Sequence, residues 1–238
     1  MATQLEIPIF QEIYSIQQVK RVKRRSIVKR WLAATPSIER AIIEKVGQGR
    51  CSLVPLGITP ALNQEQTFDS QTQCIIVLNA SDDAKETRSV LGILKTIPNT
   101  HVFLECKGRK DHKVWASIND LNMHGQATCL RDVASLRKLI PQADLLVLPF
   151  SRMEVSSVLL EAMESGVPVI STHIPGFDML VDGETAIVVD QSWEQSIKSL
   201  LDDSDLRSRI ANNARKLISM NYGSAAQIAA FQAAITPF

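Results

Sequence analysis

Residues 143–171, ADLLVLPFSRMEVSSVLLEAMESGVPVIS, constrain the fold more than any other part of this 238-residue chain. Leu145-Leu146-Val147-Leu148 is an apolar run too short for a helix and stopped by Pro149. A strand buried on both faces of a parallel sheet has this signature. After a polar loop over residues 150–154, Val158, Leu159, Ala162 and Met163 recur at helical spacing. Gly166 then ends the helix, and Val167-Pro168-Val169-Ile170 begins another strand. A strand–loop–helix–strand unit of this kind places its loop outside the carboxyl ends of the strands, where open α/β sheets bind ligands.

The rest of the chain repeats the pattern. Apolar runs at 74–78, 102–106, 127–130, 144–148, 167–170 and 186–189 read as strands. Helical stretches are expected between them at 83–97, 111–121, 133–140, 156–165 and 177–181. This alternation predicts an α/β fold, a Rossmann-like parallel sheet with helices on both faces and right-handed crossovers. A helical C-terminal tail follows, over 193–201, 205–219 and 224–235. Upstream lies a short helix/strand segment. Residues 9–30 carry Ile9, Ile13, Ile16, Val19 and Val22 in one helical stripe. Residues 31–34 read as a strand, and Thr35-Pro36 as an N-cap with proline at the first helical position. That helix runs to Gly47, and 51–55 is a further strand. The polar stretch from Pro60 to Thr72 reads as a connection between two units. The expected division is a segment 1–58, a linker 59–72, a Rossmann-like domain 73–222 and a closing helix 223–238.

Charge narrows the function classes. Lys20, Arg21, Lys23, Arg24, Arg25, Lys29 and Arg30 form a basic cluster with no acid among them. Setting these seven aside leaves 19 basic against 25 acidic residues. An acidic body does not suit nucleic acid, which is not expected as a partner. The cluster reads either as a solvated helix face or as a basic helix 20–30 attracted to an anionic membrane surface or another polyanion. The N-terminus lacks a signal-peptide layout, and no apolar run approaches the ~20 residues that span a bilayer. A cytoplasmic location follows as the expectation, peripheral to a membrane if the basic helix engages one. Cys51, Cys74, Cys106 and Cys129 form no CxxC pair and lie in or beside apolar runs. Reduced core thiols explain them better than disulfides or a metal site. His101, His112, His124 and His173 show no ligand spacing, so no metal and no cofactor are expected.

In the opening unit, Glu154 ends the loop and Glu161 lies about two turns into the helix. Amides near Val155, Ser156 and Ser157 would lack partners at the helix N-terminus. With the helix dipole they can hold a phosphate. A carboxylate deeper on the helix can accept from ribose hydroxyls, so the pair suggests a nucleotide or nucleotide-sugar. Glu161 reads equally well as a solvated or ion-paired helix residue.

These residues resemble the donor-site segment of GT-B glycosyltransferases, in particular retaining family 4. That family reads A-D-x-x-x-x-P-S, E-G-F-G and then L-E-A-M-A-x-G-x-P-V-I. The matching residues are Ala143-Asp144, Pro149, Glu154, Leu160-Glu161-Ala162-Met163, Gly166 and Pro168-Val169-Ile170. The likeness continues through residues 180–186. It also extends upstream, to Thr35-Pro36-Ser37 and to Leu53-Val54-Pro55-Leu56-Gly57-Ile58. The resemblance implies a transferase moving a sugar from a nucleoside-diphosphate donor to an acceptor with retained configuration. Glu154 would meet the donor sugar and Glu161 the ribose. Lys85 and the amides of Val155, Ser156 and Ser157 would meet the diphosphate. Leu130 and Arg131 would hold the base, and His173 would approach the donor. It also implies a shortened acceptor-binding half. Either the chain is a piece of a longer one or a partner subunit supplies that half. The apolar faces of 9–28 and 205–235 would then be partly exposed or cover each other.

Departures from the family pattern support a second reading, a non-catalytic binding or interaction module. Glu154 and Glu161 are seven positions apart, where the family has eight. An ungapped alignment puts Met153 at the first glutamate. A one-residue deletion, the preferred alignment, keeps Glu154. Val155, Ser156 and Ser157 replace the glycines, and Asn79 stands at the family's arginine. Lys85 matches the lysine only after an insertion, with Arg88 as a substitute cation.

Overall fold

The computed structural model describes residues 8–24, 27–59, 72–106, 111–190 and 192–236. The segment before residue 30 departs from expectation. It holds a strand, β1 (Ile9–Ile13), and a single helical turn, α1 (Ile16–Val19), in place of one long helix. β-branched residues at 9, 13, 19 and 22 suit a strand or turn as well as a helix, and pairing decided the matter. β1 lies parallel to β2 (Val28–Ala33). Among the described residues the basic cluster does not share a helix: Lys20, Arg21, Lys23 and Arg24 lie in turn and irregular backbone, Lys29 and Arg30 lie in β2, and Arg25 falls outside the described residues. Lys45 Nζ donates to the Val19 carbonyl at 2.9 Å, and Arg50 donates to the Arg24 and Val28 carbonyls, pinning this stretch down.

Helix α2 (Pro36–Val46) forms as its sequence dictates. Thr35 Oγ1 accepts from the Ile38 amide at 3.3 Å, Pro36 opens the first turn, and Gly47 at φ +90° ends the helix. Ile38, Ile42 and Val46 recur every fourth residue and are buried. β3 (Cys51–Leu53) completes a parallel sheet of order β1-β2-β3. The expected connection at 59–72 falls almost wholly outside the described residues.

The second sheet contains β4 (Gln73–Val77), β5 (Thr100–Glu105), β6 (Ala127–Leu130), β7 (Leu145–Leu148), β8 (Val169–Ser171) and β9 (Ile187–Val188). Its order is β6-β5-β4-β7-β8-β9, and every pairing is parallel. Alternation along the central strands divides their side chains between two layers. Cys74, Ile76, Leu146 and Leu148 join one cluster, while Ile75, Val77, Leu145 and Val147 join the other. Helices α5 (Val133–Leu139), α6 (Ser157–Glu164) and α8 (Ser204–Asn221) cover the first face. Helices α3 (Ala84–Leu94), α4 (Asp111–Asp120) and α7 (Trp193–Asp202) cover the second. Ile13, Ile38 and Ile42 belong to the first cluster, so one apolar core runs from the small sheet into the large one. Residues 177–181, expected to be helical, are turns. Phe177 and Met179 are buried there while the Asp178 carboxylate turns back to α2.

Polar contacts fasten the two sheets. Thr35 Oγ1 donates to the Gly176 carbonyl at 2.8 Å. Asp178 accepts from the Ser37 amide at 2.7 Å and from Ser37 Oγ at 2.5 Å. On the other side of the small sheet, Ile58 and Tyr222 share a backbone hydrogen bond of 2.8 Å. Gly57 is needed there, since a Cβ would lie 2.9 Å from the Ser224 Cα. Helix α9 (Ser224–Ile235) then packs Ala230 and Ala234 on Phe10, Leu32 and Val54. The small sheet and the tail thus cover each other in part, while Met220, Ile228 and Phe231 stay exposed.

Gly166, between α6 and β8, has φ +81°, and a Cβ there would meet Arg215 Nη2 at 2.4 Å. Arg215 is held by the Glu164 and Ser165 carbonyls at 2.9 and 2.7 Å. Replacing Gly166 with alanine should cost at least the roughly 1–2 kcal/mol of a left-handed residue. Urea unfolding of Gly166→Ala checks this as a lowered midpoint at unchanged slope.

Candidate functional site

The chain winds from β4 outward through β5 to β6, then returns to β7 and winds the other way through β8 to β9. The direction reverses between β4 and β7. Open parallel sheets place their ligand crevice at such a reversal, between the loops that leave the carboxyl ends of the two strands. The β4 loop carries Asn79 and leads into α3; the β7 loop carries Met153 and Glu154 and leads into α6.

Met153 is 4% exposed and sits in the core, whereas Glu154 is exposed. Of the two, the glutamate is the one open to solvent. Its carboxylate accepts from Gln18 Nε2 at 2.7 Å. The next amide, that of Val155, donates to the Tyr14 carbonyl at 2.8 Å and is not open to a phosphate. Tyr14 and Gln18 also close on each other, the Tyr14 amide donating to Gln18 Oε1 at 2.7 Å. Burial, then the carboxylate of Glu12, raise the Tyr14 hydroxyl pKa, so it stays protonated and donates to Glu12 at 2.6 Å. The loop that was expected to face the donor is thus steadied by the small sheet.

Ser156 caps α6, its Oγ accepting from the Leu159 amide at 3.4 Å. Ser157 and Val158 open the helix, where first-turn amides have no intrahelical acceptor. Glu161 lies one turn further on. Both its oxygens are taken by a residue with no sequence signal, Arg137 of α5. Arg137 Nε meets Oε2 and Nη2 meets Oε1, each at 2.8 Å, and Nη2 also reaches Ser157 Oγ at 2.8 Å. Hydrogen bonding to Glu161 raises the Arg137 pKa further.

The remaining expected residues ring the same end of the sheet. Asn79 adopts φ +52°, and its amide donates to the buried Glu105 at 2.9 Å. Lys85 is exposed on the first turn of α3, its amide capped by Asp83 at 3.2 Å. Arg88, the substitute cation, instead pairs with Asp120 of α4 at 2.6 Å. Leu130 ends β6 half-buried. Arg131 follows it, 3.5 Å from the Asp111 carboxylate, which also accepts from Ser81 Oγ at 2.6 Å. His173 is exposed in the wall of a cavity of about 590 Å³ beyond β8, between Ser37 and Asp182. That cavity does not include Lys85, Glu154 or Glu161. The structure therefore groups Ser157 with Glu161, sets Glu154 against the small sheet, and places His173 apart.

Chemically, the crevice presents a helix N-terminus and a mobile-chain cation, Lys85, for anionic oxygen. It also presents two carboxylates for hydroxyl hydrogens. Nothing in this arrangement is a nucleophile–base pair.

Residues 61–217 match the family model described as glycosyl transferases group 1. Lipopolysaccharide core biosynthesis glycosyltransferase LpsE of Rhizobium meliloti (strain 1021) is 22% identical over 141 residues, which is 57% of this chain and 42% of that protein. Capsular polysaccharide biosynthesis glycosyltransferase CapM of Staphylococcus aureus is 34% identical over 83 residues, 33% of this chain and 22% of that one. The aligned regions thus span less than half of these relatives' length. Anabaena Alr3699/HepE, solved in complex with UDP and glucose, superposes with a TM-score of 0.72 at 14% identity, covering 96% of this chain and 72% of that chain. WaaG, a glycosyltransferase involved in lipopolysaccharide biosynthesis, gives 0.68 at 17% identity over 90% and 64%.

Cys51 and Cys74 stand outside this chemistry. Burial, aided by Glu39, pushes the Cys51 thiol up to about 12, and burial, aided by Asp144, does the same for Cys74. A raised thiol pKa removes the nucleophilic thiolate at neutral pH. At pH 8 the folded chain should be alkylated at these two positions more than about a hundredfold more slowly than the urea-unfolded chain, as peptide mass mapping would record.

Proposed function

The chain belongs to the group 1 glycosyl transferases and has their GT-B architecture, and we propose that it binds a nucleoside-diphosphate sugar and takes part in transferring the sugar to an acceptor. The observation that carries this reading is the position of α6: its N-terminus and Glu161 stand at the reversal point of the sheet. Phosphate and ribose recognition would then lie one helical turn apart. That the similarly folded Alr3699/HepE was solved in complex with UDP and glucose supports a nucleotide-sugar as ligand.

The roles follow from charge and reach. Glu161 accepts from the ribose hydroxyls. The amides of Ser157 and Val158 and the ammonium of Lys85 hold the diphosphate. As the sugar leaves, negative charge grows on the diphosphate, and donors already aimed there lower that barrier. Glu154, on the loop just before α6, is assigned to the sugar, Leu130 and Arg131 to the base, and His173 to the far edge. Retention of anomeric configuration belongs to this reading through the family resemblance alone. The acceptor site is assigned to a further domain or a partner subunit beyond the small sheet, with the division of the chain near residues 59–72.

A second reading, a donor-binding module without transferase activity, is favoured by particular contacts. The Val155 amide is taken by Tyr14, Arg88 is held by Asp120, and Asn79 carries no charge where the family has arginine. Calorimetric titration with UDP, GDP and UDP-glucose separates the readings. Saturable binding of one nucleotide is expected, and its absence at about 1 mM would remove the donor site altogether. Lys85→Ala should weaken the diphosphate about tenfold while leaving the bare nucleoside unchanged. Binding without hydrolysis or transfer, even with an acceptor-binding polypeptide added, would establish the module.

A further inference from the structure

Arg137 lies on α5, 24 residues before Glu161, and belongs to none of the segments that carry the family resemblance. Its guanidinium nonetheless makes the most complete side-chain contact at the crevice. The fork engages both Glu161 oxygens at 2.8 Å each, and the second Nη2 contact ties it to Ser157, the first residue of α6. Glu161 is the more protected partner, its side chain 15% exposed against 49% for Arg137. A glutamate on a helix surface otherwise samples several rotamers about three torsions. A two-point fork removes that freedom, because only one carboxylate plane satisfies both bonds.

We propose that Arg137 is a positioning residue for nucleotide recognition: it fixes the Glu161 carboxylate so that a lone pair left outside the fork meets a ribose hydroxyl. Resting on the ribose role given to Glu161 above, this assigns the selectivity for a ribose over its deoxy forms to an ion pair. Each carboxylate oxygen accepts about two hydrogen bonds, and the fork uses one on each. One acceptor site per oxygen remains, and the two point to opposite sides of the carboxylate, so one of them serves a ribose hydroxyl. The contact to Ser157 adds a second consequence. The Ser157 oxygen accepts from Arg137, so its own proton stays available at the helix N-terminus, on the side assigned to phosphate. One guanidinium thereby sets the ribose end and the phosphate end of the site in register. Lysine at this position would keep the charge but not the fork.

The test compares UDP with 2′,3′-dideoxyuridine diphosphate by calorimetry on the full chain, with thermal melts to verify folding. If the chain selects GDP, the guanosine pair replaces them. The wild type should prefer the ribonucleotide about tenfold or more, since hydrogen bonds to a charged group carry that much. Glu161→Gln should abolish most of the preference. Arg137→Ala should lower UDP affinity about tenfold and leave the dideoxy compound unchanged, with Arg137→Lys recovering only part. On the Glu161→Gln background, Arg137→Ala should add almost nothing, because the two act through one interaction. Equal loss for both nucleotides would reduce Arg137 to general electrostatics and overturn the proposal. Tighter UDP binding by Arg137→Ala would make it a latch over Glu161 and overturn it as well. If Glu161→Gln keeps the wild-type preference, the ribose role of Glu161 fails and the proposal with it, an outcome that is distinct because it appears in the Glu161 variant itself.

Discussion

Burial of β4 and β7 on both faces is the constraint on which the rest depends. Neither strand has a solvent side, so each must be paired on both edges and roofed on both faces. Parallel pairing forces a crossover after every strand, and right-handed crossovers leave two ways to wind. The chain uses both, one from β4 and the other from β7. The crevice is thus a by-product of how the sheet is filled. The same packing keeps Leu145 to Leu148 fully buried and delivers the loop after them to the crevice.

The small sheet is integral to that arrangement. Ile13, Ile38 and Ile42 share a core with α6 and β7, and the Thr35–Gly176 and Ser37–Asp178 contacts hold α2 to the turn after β8. Through Tyr14 and Gln18 it also holds the loop carrying Glu154. A loop that lacks the glycines of its family is in this way given a fixed shape by a neighbour 136 residues distant in sequence. The replacement costs openness, because the amide of Val155 is consumed in the process.

Charge at the crevice follows the same economy of partners. Arg88 and Arg137 are both cations of the right type near the site, but each is drawn to the carboxylate within reach, Asp120 and Glu161. Lys85 is left exposed with its ammonium available. Which cation serves an anionic ligand is therefore decided by which acids lie across the groove between helices.

The sequence by itself determined the six strands of the large sheet, the capped helix after Thr35 and the position of the β7–α6 unit. All of these rest on local signals: apolar runs, a proline at a first turn, a glycine at a helix end. It also placed Glu161 and Ser157 at one helix terminus. It misread residues 9–30 and 177–181, where the apolar spacing fits a helix but strand pairing or side-chain burial prevailed. Only the tertiary structure buries Met153 and exposes Glu154, since the packing of a loop treats two neighbours differently. It alone brought Arg137 to Glu161 and Gln18 to Glu154. Those contacts join residues far apart in the chain, and such partners are set by the packing of whole elements, which no local pattern encodes.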